Sequence, residues 1–352
     1  MAIKRVGVLT GGGDCPGLNA VIRGLVTRLA AGGVATVGLL EGWRGLLEAK
    51  TRDLSVADVR DILHLGGTIL GSSRTNPFKN AERDVPRVLE NVKKLKLDAL
   101  VPVGGDDTLG VAAKLYTQHK LPTVGVPKTI DNDLSGTEFT FGFDTAVEVC
   151  TQCIDRVRTT AESHRRVLVV EVMGRHAGWI AGFAGLAAGA DWVCVPEEEI
   201  DIEALAASLA RGREAGDLYN LVVVAEGAKL AAGGAPGGAG DVTQDGSLDS
   251  FGHVKLGGIG KRLAKLIEEK TGFEARHVIL GHVQRGGAPT ATDRILGTRY
   301  GVKAAEMVLA GEFGRMPALV GSEIKAVDLS FAAGETKTLR PDYLALAKVF
   351  YA

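Results

Sequence analysis

The chain has 352 residues, 45% of them apolar, with 41 basic and 42 acidic side chains and a formal net charge of −1. That length supplies core for one large α/β unit or for two lobes of ordinary size. The charge balance excludes bulk attraction to nucleic acid or to an anionic membrane, and no apolar run approaches the ~20 residues that cross a bilayer. The opening "MAIKRVGVLTGGGD" reads as a strand entering a turn rather than a leader, so a cytoplasmic location is expected. The cysteines Cys15, Cys150, Cys153 and Cys194 suit a reducing compartment. Cys150 and Cys153 form a C-x-x-C without a second pair nearby, and read as reduced helix cysteines rather than metal ligands or a redox pair.

In chain order, apolar runs alternate with helical patterns. Strands are predicted at 5–9, 34–40, 98–103, 123–126, 167–172, 192–195, 220–225 and 277–280. Most are continuous apolar runs, as expected of strands buried on both faces of a parallel sheet. After the first, Leu18, Val21, Ile22, Leu25, Val26 and Leu29 share one helical face, with Pro16 and Gly17 breaking the chain before it. Residues 231–247, "AAGGAPGGAGDVTQDGS", read as a loop. "IGKRLAKLIEEKTG" then returns to a helix that stops at Gly272. The tail 310–352 is less regular and carries no functional reading. The alternation implies an α/β fold of two doubly wound lobes with mainly parallel sheets.

Several strand ends carry chemistry. "LTGGGDCPGLNAVIRG" (9–24) is a strand, a glycine turn and a helix, in which backbone N–H groups can approach phosphate oxygens. It fits neither the Rossmann fingerprint nor the Walker A pattern, and a purely structural turn reads equally well. "VGGDDTLG" (103–110) places Asp106 and Asp107 at a strand's carboxyl end, where ligands of open α/β sheets gather. An N-cap role would account for one aspartate better than for two. "GVPKTIDNDLSGT" (125–137) delivers Lys128, Thr129, Asp131 and Asp133 at once. Alternate spacing in an extended loop would turn Thr129, Asp131 and Asp133 to one side, suited to a general base beside a metal or a sugar hydroxyl. A solvated turn with Asx caps is the plainer reading. Later strands bring Arg166, Arg175, Glu226, Arg276, His282 and Arg285. Arginine forks suit phosphate oxygens, although a single arginine is more often a surface ion pair.

Together "GGDDT", "TIDND", "MGR" and "GHVQRGG", in that order, resemble the phosphofructokinases, and the likeness runs from about residue 3 to 310. The resemblance implies a two-lobed fold. A phosphoryl-donor lobe would come from 1–140 plus about 252–303, and a sugar-phosphate lobe from about 141–251 plus 304–352. It implies Mg²⁺-dependent phosphoryl transfer to the 1-hydroxyl of fructose 6-phosphate. Asp131 would be the base, Thr129 and Asp133 would position the reacting groups, and Arg175 would stabilise charge on the transferred group. Asp106 would hold Mg²⁺. Gly13, Arg74, Asp107, Thr108 and Lys128 would face the donor. Ile130, Met173, Gly174, Glu226, His282 and Arg285 would face the sugar phosphate. Arg166 and Arg276 would complete a neighbouring subunit's site, so a homodimer or homotetramer is expected.

Within this family, ATP users typically carry glycine at the positions of Asp107 and Lys128, and pyrophosphate users carry aspartate and lysine. The resemblance is therefore to the pyrophosphate-dependent type, in the mixed-substrate branch. Lysine at 128 also occurs in ATP-using relatives of that branch, so Asp107 carries most of this assignment. A carboxylate at 107 would meet the α-phosphate of a nucleotide. At about 4 Å and an effective dielectric of about 20, the repulsion is ~4 kcal/mol, or about a thousandfold in binding. Asp53 stands where the ATP enzymes carry an effector arginine, which implies weak or absent regulation by nucleotides or phosphoenolpyruvate. The alternatives are an ATP-dependent 6-phosphofructokinase, a kinase of the NAD or lipid type sharing the "GGD" turn, and a non-catalytic sugar-phosphate sensor.

Overall fold

The computed structural model describes residues 3–231, 243–248 and 254–351. The first half of the chain gives β1 (Arg5–Thr10), α1 (Leu18–Ala31), β2 (Ala35–Leu39), α2 (Trp43–Glu48), β3 (Thr51–Leu54), α3 (Ala81–Lys94), β4 (Ala99–Gly104), α4 (Asp106–His119), β5 (Val126–Pro127) and α5 (Phe143–His164). The second half gives β6 (Val167–Val172), α6 (Trp179–Ala187), β7 (Trp192–Cys194), α7 (Ile202–Glu214), β8 (Asn220–Ala225), β9 (Thr243–Leu248), β10 (Val254–Leu256), α8 (Ile259–Thr271), β11 (Ala275–Ile279), α9 (Ala291–Ala310), β12 (Arg315–Val320), β13 (Glu323–Asp328) and α10 (Pro341–Lys348).

Two open sheets result. The first has the order β3-β2-β1-β4-β5, parallel except for β3, which runs antiparallel to β2. The second, β11-β6-β8-β7, is wholly parallel. β1, β4, β6 and β8 are buried along almost their whole length, as their unbroken apolar runs require. The chain leaves β1 toward β2 on one side and returns to β4 on the other. The crevice between the carboxyl ends of β1 and β4 is therefore a topological switch point, the place where such sheets bind ligands. The expected face of α1 is buried in full, at ~1.5–3 kcal/mol for each large aliphatic side chain. Gly17 caps it in the left-handed region, and a Cβ there would lie 2.8 Å from the Phe141 ring. Gly272 ends α8 with φ +72, as predicted.

Three expectations change. The predicted strand at 123–126 is reduced to β5, preceded by isolated bridges at Thr123 and Val124. The loop assigned to 231–247 lies outside the described residues at 232–242, and from Thr243 it forms β9, which pairs antiparallel with β10. The tail is regular. β12 and β13 make an antiparallel hairpin, and α10 packs against α6. Pro317 inside β12 hides that strand from pattern reading; a two-stranded ribbon tolerates it because a proline without N–H can sit at an edge.

The expected division places about 252–303 with the first sheet and 304–352 with the second. In the structure α8 and β11 lie on the second sheet, while α9 packs along α1. β12 reaches back to the first sheet, where Gly125 N donates to Arg315 O at 3.1 Å. Sheet membership is set by long-range pairing, which no local pattern encodes. Among the described residues no helix is long and apolar enough to cross a membrane.

Candidate active site

The turn after β1 is interlocked with its neighbours before any side chain enters the cleft. Gly11 N donates to Val103 O at 2.9 Å and Gly12 N to Ser73 O at 3.2 Å. Ser72 Oγ returns a bond to Gly12 O at 2.5 Å. The Thr108 side chain, 2% exposed, wedges between the turns after β1 and β4. A Cβ on Gly11 or on Gly104 would lie 2.6 Å from its hydroxyl. Thr108 thus holds two glycine turns together as well as lining the cleft.

The cleft is lined by Gly12, Gly13, Arg74, Gly105, Asp106, Asp107, Thr108, Lys128, Thr129, Asp131, Asp133, Arg175 and Arg285. Every expected donor-side residue is among them, together with the metal candidate Asp106. Asp106 and Asp107 open α4, where a helix start favours negative charge. Lys128 is 3% exposed, and its ammonium donates to Gly13 O. Burial pulls its pKa below the ordinary lysine value.

The segment 129–133 is a turn, not the extended loop expected. Asp131 N donates to the Thr129 hydroxyl at 3.0 Å, and Asn132 is left-handed at φ 51. Thr129, Asp131 and Asp133 still share the cleft, because the turn, rather than alternation along a strand, aims them there. Thr140 fixes the turn from behind, donating from its hydroxyl to Thr129 O at 2.8 Å and from its N–H to Asn132 Oδ1 at 3.1 Å. Asp131 is 4% exposed and its Oδ1 has no hydrogen-bond partner within the chain. A buried acceptor left open in this way costs stability unless something supplies a donor. Burial, and then the charges of Asp131 and Asp106, push the Asp133 carboxyl up to about 7.

The second sheet contributes the opposite wall. Arg175 follows β6, has φ 49, and brings Nη1 to 3.8 Å from Asp106 Oδ2. Burial works against its charge, yet Asp131, Asp106, Asp133 and Asp107 together hold its pKa above the ordinary value. Gly227 makes room for it: a Cβ there would fall 1.8 Å from Arg175 O. Glu226 directly follows β8 and accepts from Arg175 N at 3.2 Å; burial raises its carboxyl to about 7. Arg285 reaches across the cleft, donating to Asp14 O at 3.3 Å.

Other expected residues lie elsewhere. The Ile130 side chain is buried in the core. Met173 and Gly174 form the bend before Arg175, with Met173 N donating to Gln284 Oε1 at 3.2 Å. His282 sits exposed on the short turn Gly281–Arg285, outside the cleft lining. Arg166 and Arg276 stand at the amino ends of β6 and β11, the end of the sheet away from the cleft. Both pair with Glu274, Arg166 at 2.7 Å.

Sequence reading passed over Gln284. It is fully buried, accepts from Cys150 Sγ at 3.1 Å and donates to Gly281 O at 3.0 Å, so it ties α5, β6 and the 281–285 turn together. Its place inside "GHVQRGG" was the available signal. Cys15, Cys150, Cys153 and Cys194 are all free thiols.

Amides of a glycine turn suit phosphate oxygens, and a buried aspartate facing an arginine suits proton removal beside a transferring phosphoryl group. The class so defined is a phosphotransferase. The family model "Phosphofructokinase" matches residues 5–308. A pyrophosphate--fructose 6-phosphate 1-phosphotransferase of Dictyoglomus thermophilum is 50% identical over 351 residues, covering 100% of this chain and 99% of the relative. An ATP-dependent 6-phosphofructokinase 3 of Streptomyces coelicolor is 52% identical, covering 96% of this chain and 97% of the relative. The solved phosphofructokinase of Saccharomyces cerevisiae superposes with a TM-score of 0.77 at 31% identity; the match covers 98% of this chain and 46% of the yeast chain. The chain belongs to the phosphofructokinase family.

Proposed function

We propose that the chain transfers a phosphoryl group reversibly from pyrophosphate to the 1-hydroxyl of fructose 6-phosphate, giving fructose 1,6-bisphosphate and phosphate. The observation that carries the donor is Asp107 beside Asp106 at the start of α4, with the Lys128 ammonium across the same cleft. Identity does not choose the donor, since relatives named for either donor stand near 50%. The ATP-dependent reading is the alternative on the same fold. Pyrophosphate releases less free energy than ATP, which lets the step run in both directions.

In this reading Asp131 takes the proton of the 1-hydroxyl, and its open Oδ1 is the acceptor that proton needs. Thr129 and Asp133 hold the attacking oxygen. Arg175 spreads the charge of the transferred group, and Lys128 with the turn at Gly13 receives the leaving phosphate. Glu226 binds a sugar hydroxyl, while His282 and Arg285 take the 6-phosphate. Oxygen ligands at Asp106 fit Mg²⁺. Among the described residues no cluster of three or more candidate ligands cages a metal, which agrees with an ion held mainly by one carboxylate and substrate phosphates. When bound, Mg²⁺ supplies charge neutralisation on the donor. The far-end position of Arg166, just before β6, and of Arg276, on the edge strand β11, supports their reaching a second copy's cleft in a homodimer or homotetramer. A cytoplasmic enzyme suits these substrates.

The test is fructose 1,6-bisphosphate formation with Mg²⁺, comparing pyrophosphate and ATP at equal concentration. Strong turnover with pyrophosphate and almost none with ATP is expected. Preference for ATP would overturn the donor and leave the sugar site standing.

A further inference from the structure

Resting on the reading of Asp131 as base, we infer that Lys337 is a positioning residue that holds the 129–133 turn and the Arg175 segment in register. Lys337 lies in the tail between β13 and α10. Its ammonium donates to Asn132 Oδ1 at 3.0 Å, to Thr137 O at 2.9 Å and to Glu138 O at 2.9 Å. An ammonium has three protons, so all are used, and all go to the one loop that carries the base. Its backbone joins in as well. Lys337 N donates to Asp133 O at 2.8 Å, and Lys337 O accepts from Trp179 Nε1 at 2.9 Å.

Trp179 opens α6 four residues after Arg175, and the Lys337 ammonium stands 5.2 Å from its ring centroid. One tail residue therefore touches both catalytic segments. The tie matters because Asn132 is held at positive φ, a conformation that persists only when the surroundings over-determine it. Asn132 lies between Asp131 and Asp133, so a shift in its backbone moves both carboxylates. Burial lowers the Lys337 pKa to about 8 while Asp133 and Glu138 work the other way, which leaves the ammonium charged at neutral pH.

Losing the ammonium removes the donor to Thr137 O and leaves Asn132 Oδ1 to Thr140 and Glu138 O to Asn132 Nδ2, which loosens the turn while donor and sugar contacts stay in place. The Lys337→Met variant is expected to lose about tenfold to a hundredfold in kcat, the scale of an ångström-sized misplacement, with KM for pyrophosphate and Kd for fructose 6-phosphate within about twofold. Lys337→Arg keeps the charge and is expected to restore most of kcat. Trp179→Phe keeps a ring and removes the donor to Lys337 O, so it is expected to lower kcat by less. If Lys337→Met does not fold, the other two variants decide.

A kcat for Lys337→Met within about threefold of the parent overturns the inference, since a misplaced reacting group costs more than that. So does a Lys337→Arg variant as slow as the methionine one. Should the parent turn over neither donor, the base assignment fails instead. Amide exchange at 131–140 then decides whether Lys337 holds the turn: exchange about tenfold faster in Lys337→Met supports it, and unchanged exchange overturns it.

Discussion

The two ends of the second sheet use arginine in opposite ways. At the carboxyl end Arg175 is largely buried, faces aspartates delivered by the first sheet, and shares a cleft with Arg285. At the amino end Arg166 and Arg276 lie away from the cleft and both pair with Glu274, Arg276 also standing 4.0 Å from Glu268. At the first end the two sheets of one chain meet and line a single cleft. The second holds Arg166 and Arg276 away from the cleft of their own chain, and the proposed function gives them a role only at a second copy's cleft. The same side chain is a counter-charge to several cleft carboxylates at one end and a partner of glutamates outside the cleft at the other; Arg175 and Arg166 are 28% and 26% exposed, so their neighbours make the difference.

The comparison can be broken at either end. The largest effect is expected at the cleft: Asp131→Asn should lower kcat by about a thousandfold with substrate binding retained, since a positioned base contributes on that scale. Steady-state kinetics with an isothermal titration check it, and near-parent turnover would remove Asp131 as the base. Next comes Asp107→Gly, which should raise kcat/KM for ATP relative to pyrophosphate by up to about a thousandfold if the full repulsion is relieved. An unchanged donor ratio would mean that Asp107 does not gate the site.

At the far end, Arg276→Ala should raise KM for fructose 6-phosphate by about tenfold to a hundredfold and leave KM for pyrophosphate alone, the scale of one lost charged contact. Mixing Arg276→Ala with Asp131→Asn subunits should recover activity, because some clefts in the hybrid are then intact. No recovery in verified hybrids would confine each site to one chain.

The smallest effect is a slope in stability. Burial raises the Glu226 carboxyl from its ordinary value to about 7, so proton uptake favours the fold. That stabilisation is complete below the unfolded value near 4.5 and is lost as pH rises through about 7. Denaturant midpoints of the ligand-free protein should fall across that window, and Glu226→Gln should flatten the fall. An identical slope in the variant would show that Glu226 does not carry it.

Sequence and structure part company at identifiable places. Strands buried on both faces announced themselves as apolar runs, so β1, β4, β6 and β8 were legible to within a residue. The polar edge strand β3 and the hairpin β12–β13 were not, because half-exposed strands carry mixed sequences and Pro317 argues against one of them. Thr129, Asp131 and Asp133 were found through the wrong geometry: spacing suggested an extended loop, and the left-handed Asn132 makes it a turn.

By itself the sequence determined an α/β class, the strand ends that carry carboxylates and arginines, and membership motifs at short spacing. These are local properties, fixed by turn chemistry and by the apolar pattern within a dozen residues. The tertiary structure decided that α8 and β11 belong to the second sheet and that Lys337 reaches the base turn from about 200 residues away. Those outcomes rest on long-range pairing and on competition for buried hydrogen bonds, which are settled only when distant segments meet.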